Sequence, residues 1–189
     1  MTLLVLGLVA FLGIHSISIV AEGLRDRLAA RSEIGWKLGY ALVSLIGLVL
    51  IVYGYGAARM DPVHLWSPPA WTRHLSALLL LPVFVLFFAS GFPGRIKTAT
   101  KHPQLLAVKL WAVAHLIVNG TLADVMLFGS FLAWAVANRI SMKRRTPRPV
   151  PGAPPGAMND AIVVVLGLVT YVVFVVWAHR ALIGVAPFG

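Results

Sequence analysis

The chain has no cysteine among its 189 residues. That absence excludes disulfides, thiolate-bound zinc, iron–sulfur clusters and thiol nucleophiles. Acidic residues are almost as scarce, with six Asp and Glu against sixteen Lys and Arg. Glu22, Asp26, Glu33, Asp61, Asp124 and Asp160 all fall near the ends of apolar stretches or between them. No pair of carboxylates sits in the middle of an apolar run, which argues against a proton-driven transporter. Charged residues make up only 12% of the chain, about half the share usual in soluble domains. The sequence also lacks a Gly-x-Ser-x-Gly nucleophile motif, a phosphate-binding loop and a dinucleotide-binding fingerprint.

What the chain does have is apolar residues, 59% of the total, with a mean hydropathy of +0.88. This is the composition of an integral membrane protein. A net charge of +10 would suggest a nucleic-acid partner in a soluble protein. In a membrane protein it reads as positive cytoplasmic loops, with membrane lipids and no nucleic acid as partners.

Six apolar stretches predict an all-α, polytopic membrane helix bundle, with spans at about 2–21, 37–58, 75–90, 103–118, 121–138 and 161–181. The length suits one domain covering 1–189. The first stretch has no basic residue or Ala-x-Ala cleavage site before its following charges, so it reads as a retained span. Residues 22–36 form a short polar cytoplasmic linker of helical amphipathic character, with Leu24, Leu28 and Ile34 set against Arg25, Arg27 and Arg31. Residues 59–73, rich in Pro and Trp, form a connection on the membrane surface. Gly54 and Gly56 permit either close helix packing or the approach of a flat ligand. Pro82 predicts a kink in the third span. Asn119-Gly120 alone separates the fourth and fifth spans, which predicts a tight antiparallel hairpin, with Asp124 suited to the first turn of the fifth. Residues 139–160 are basic and then rich in Pro and Gly, which predicts a mobile cytoplasmic loop facing anionic headgroups.

The basic residues give the orientation. With six spans, twelve Lys and Arg fall in the first, third and fifth loops, and three (Arg59, Arg73, Arg180) on the opposite side. Lys109 lies within a span. This bias puts the odd loops in the cytoplasm and both termini outside.

Two histidines fall inside apolar stretches, His15 in the first and His115 in the fourth. Such residues either hydrogen-bond a neighbouring helix or serve a function. A neutral imidazole is a common metal ligand, and two from different helices can fill both axial positions of a haem. At about 1.5 Å per residue, His15 lies about 9 Å and His115 about 18 Å from the cytoplasmic ends of their spans. Ordinary helix tilts tolerate that mismatch. Trp111, His115 and Asn119 share one helix face. Trp111 is placed to wall a porphyrin, and Ala112 to leave room for one. Arg95, Lys97 and Lys101 lie at the cytoplasmic end and are candidates to pair with propionates. His102 falls at the rim, suited to a helix start or to propionate contact, and Lys109 suits snorkelling towards the surface.

Several motifs resemble the NnrU family of membrane proteins: His15-Ser16, Lys-His-Pro-Gln at 101–104, Leu-Trp-Ala-Val-Ala-His at 110–115, Asn119-Gly120, Phe128-Gly129-Ser130 and the basic exit at 141–145. That family is similar to the 15-cis-zeta-carotene isomerase of plants and cyanobacteria, a membrane enzyme containing haem b. The resemblance implies haem b, with its iron held by His15 and His115, and makes His102 the counterpart of another motif histidine. The isomerase has a Cys three residues before the second His, whereas this chain has Ala112. A thiolate ligand switch is therefore impossible here. The family's association is with denitrification, which implies a bacterial inner-membrane protein with a redox or nitric-oxide-linked role. Its partners would be an electron donor or denitrification proteins. The alternatives are a haem-dependent cis–trans isomerase of a carotenoid-like polyene, or a cofactor-free assembly protein whose histidines bridge helices.

Overall fold

The computed structural model describes residues 1–148 and 151–187. Pro149 and Val150, part of the expected Pro-rich loop, lie outside the described residues. As expected, the regular structure is all-helical. The only strand-like pairing among the described residues is an isolated bridge between His64 and Thr121. The helices group into two compact units, one built from Met1–Ser67 with Asn119–Pro147, the other from Pro68–Val118 with the described residues of Arg148–Gly189.

In the first unit, α1 (Thr2–Val20) packs along α3 (Glu33–Ala58). Small residues set that contact. A Cβ on Gly7 would meet the backbone around Ile51, one on Gly47 would meet Phe11, and one on Gly54 would collide with Leu3 and Leu4. Helices in lipid associate through this kind of close backbone approach, because lipid tails are as apolar as leucine. Packing is therefore the role of Gly54, while Gly56 faces open space. Leu3, Leu6 and Val9 remain exposed on α1, as expected of a helix that is apolar all round. The expected linker at 22–36 is helical, in keeping with its amphipathic pattern. α2 covers Glu22–Arg31, and α3 starts at Glu33, where the Ser32 side chain accepts the Gly35 N–H at 3.0 Å. Ser32 is a helix cap, so the polar residues after it form the first turn of the span.

The remaining span of this unit is α8 (Leu122–Ser141), which packs on α1 and contains one π turn at Val125–Gly129. Its start is held by the loop that follows α3. Val63 accepts the Leu122 N–H at 2.9 Å, and the N–H groups of Leu65 and Trp66 both donate to Gly120. A side chain on Gly120 would collide with the Trp66 carbonyl, which explains the glycine there. Thr121 and Asp124 form a capping box, so Asp124 does sit in the first turn.

In the second unit the third span is broken into α4 (Thr72–Leu80) and α5 (Val83–Ala89), with the break at Leu81-Pro82. Pro82 lacks the N–H needed to continue the helix. α6 (Arg95–Thr100) leads into α7 (Pro103–Val118). α7 packs on α4 and α5, and α9 (Asn159–Ile183) packs on α5. Val83, Leu86 and Ala107 form the core, with Leu80, Ile96, Leu110 and Trp111 packed around them. α7 belongs to the second unit and α8 to the first, and each packs on neighbours within its own unit.

Among the described residues, five helices are long and apolar enough to cross a membrane: Thr2–Val20, Glu33–Ala58, Thr72–Ala89, Leu122–Ser141 and Asn159–Ile183. α7 has the expected bounds but only 16 residues. It is about 24 Å long against a hydrocarbon core of about 30 Å.

Candidate functional site

His15 lies on α1 in a setting supplied by three helices. Its Nδ1 is 2.6 Å from the Phe11 carbonyl. A carbonyl oxygen only accepts, so Nδ1 carries the hydrogen, and in the neutral ring the lone pair is on Nε2. The ring stacks on Phe11, with centroids 4.2 Å apart, and lies near Tyr40 of α3 at 5.0 Å and Trp134 of α8 at 5.9 Å, edge-on. The indole N–H of Trp134 is buried without a partner among the described residues. An unpaired buried donor is costly, and here it lies on a ring packed against His15.

His115 repeats the arrangement on α7. Its Nδ1 donates to the Trp111 carbonyl at 2.8 Å, and the two rings lie 5.3 Å apart. The expected shared face of Trp111 and His115 is therefore present. Ala112 is not an open position beside them, because it is completely buried.

The cytoplasmic-end residues are placed differently. His102 starts α7, its carbonyl accepting the Leu106 N–H at 3.2 Å. Arg95 and Lys101 are exposed, and Lys97 donates to the Ser90 carbonyl at 2.8 Å. At the start of α6, the Asp160 carboxylate accepts the N–H groups of Arg95 at 2.9 Å and Ile96 at 3.0 Å. A propionate approaching Arg95 would meet this carboxylate.

Sequence reasoning missed three polar contacts. One is the Asp160 tie to α6. The second is the hydrogen bond from the Tyr55 hydroxyl to Asp124 at 2.6 Å. The third is Arg145, which donates to the Ser18 carbonyl at 3.2 Å and to Asn138 at 2.8 Å. An Asn-Asp pair before an apolar run signals a helix start, but its partner 65 residues away leaves no local trace.

Among the described residues no three His, Asp or Glu side chains converge as a metal site. Axial haem ligation needs only two imidazoles. Its usual companion is a backbone carbonyl or carboxylate holding the other ring nitrogen, and both His15 and His115 have that carbonyl. The donor chemistry of the two rings thus fits haem, with Trp111 in contact with one of them.

All-helical units with several apolar spans make this a multi-pass membrane protein. Residues 3–187 match the NnrU protein family, to which the chain therefore belongs. No curated protein and no solved structure matches it.

Proposed function

We propose that this NnrU-family protein binds haem b, that His15 and His115 are the iron ligands, and that it has a redox or nitric-oxide-linked role in denitrification at the bacterial inner membrane. The observation that carries this reading is the shared state of the two rings. Each donates Nδ1–H to the carbonyl four residues earlier, and that tautomer offers Nε2 to a metal. Bound haem would supply one-electron chemistry and an iron with affinity for diatomic ligands.

The chain's own residues do the rest. The Phe11 and Trp111 carbonyls fix the tautomers. Phe11, Tyr40 and Trp134 pack the His15 ring against rotation and make its surroundings apolar, which raises the potential of a charged iron relative to water. Trp111 supports the His115 ring. The six-span topology with both termini outside belongs to the same reading, with α7 as the fourth of the six spans.

An optical spectrum of the purified, haem-supplemented protein tests the ligand assignment. His15→Ala and His115→Ala should each alter the Soret and reduced bands. His74→Ala, at an exposed position, should leave them unchanged. A folded protein with no Soret band would favour the cofactor-free reading.

A further inference from the structure

An open recess of ≈ 430 Å³ lies where α1 ends beside the exit of α8, lined by Ser18, Ile19, Glu22, Ala137, Ile140, Ser141, Arg144 and Arg145. Its lining is divided by chemistry. Ile19, Ala137 and Ile140 belong to the apolar spans, whereas Arg144 and Arg145 lie just past the last turn of α8. Arg145 is held in place by the Ser18 carbonyl and the Asn138 amide oxygen, so its charge is fixed on the wall. Arg144 is exposed and has no ion-pair partner among the described residues. Glu22 is the single acid, opposed by two guanidinium groups.

A second recess of ≈ 290 Å³ shares Ser18 and is lined by Arg25, Trp36, Lys37 and Tyr40. Its cations already have partners, Arg25 with Asp26 at 3.0 Å and Lys37 with Glu33 at 2.6 Å. In the larger recess Arg144 has no such partner among the described residues.

We propose that the larger recess binds the headgroup of an anionic phospholipid. Arg144 and Arg145 take the phosphate, where guanidinium geometry matches the oxygens. The hydroxyls of Ser18 and Ser141 border the glycerol region, and Ile19, Ala137 and Ile140 receive the first acyl carbons. A basic recess at the end of membrane-spanning helices has the charge and the polarity gradient of such a lipid, whereas free phosphate would use only the polar half. This inference stands independently of the haem assignment.

The test uses the full chain in neutral detergent, titrated with phosphatidylglycerol, phosphatidylcholine or inorganic phosphate, with retained lipid counted by native mass spectrometry. Phosphatidylglycerol should be retained in preference to phosphatidylcholine. Arg144→Gln should weaken its binding about fivefold, the effect of one headgroup contact. Arg139→Gln removes the same charge outside the recess and should change binding less than about twofold. Ile140→Glu, at a position 51% exposed, places a carboxylate in the recess and should abolish the preference while the protein stays folded. Equal retention of both lipids, equal weakening by Arg139→Gln and Arg144→Gln, or full competition by inorganic phosphate would each overturn the proposal.

Discussion

Asp124 is only 4% exposed on a helix apolar enough to span a membrane, and its carboxylate is fully occupied. It accepts the Tyr55 hydroxyl, the Thr121 N–H and the Thr121 hydroxyl at 2.6, 2.9 and 2.6 Å. Those bonds make it a clamp between α3 and the start of α8 rather than a carrier of protons. Tyr55→Phe removes one donor and leaves the carboxylate two, so it should cost about 1 kcal/mol. Asp124→Ala strands two half-buried hydroxyls and a backbone N–H, each costing about 1–3 kcal/mol. Thermal unfolding in detergent should show the alanine variant clearly less stable than the phenylalanine one. Equal stabilities would mean that the clamp contributes nothing. His15 and His115 are each held through Nδ1, by a bond to the carbonyl four residues earlier.

At the scale of elements, α1 and α3 meet through glycines where two backbones nearly touch. Gly54→Val should force them apart, costing about 1–3 kcal/mol by overpacking, whereas Gly56→Val, in open space, should not. Their unfolding midpoints compared in the same detergent decide this, and equal losses would contradict the packing. The apolar stretches were legible in the sequence because spanning a bilayer demands long unbroken hydrophobic runs. The break at Pro82 was legible because proline acts locally. The π turns at Val125–Gly129 and Phe174–Ala178 carry no proline and left no comparable sign. The helical character of 22–36 was legible in the spacing of Leu24, Leu28 and Ile34 against Arg25, Arg27 and Arg31. Pairing was legible least of all. The packing of α7 on α4 and α5 comes from tertiary contacts that leave no local sign.

At the scale of the molecule, the absence of cysteine becomes useful, because single introduced thiols can be labelled without background. Ala99→Cys, before α7, and Thr146→Cys, after α8, are both at exposed positions and should react from the same side of the membrane if both helices cross. Opposite reactivity would remove α7 from the spans and leave five. The candidate histidines were legible as polar groups at apolar depth, since position in an apolar run is a one-dimensional property. The aromatic setting of His15 was not, because Tyr40 and Trp134 come from helices separate in sequence from its own. The claim on which the rest depends is ligation of haem iron by His15 and His115. The most direct measurement is the oxidised and reduced absorbance spectrum of the haem-supplemented protein, taken for the native chain and for His15→Ala and His115→Ala. Ligation requires a Soret band in the native protein that shifts or weakens in both variants. A folded native chain without the band, or variants with its unchanged spectrum, would contradict it.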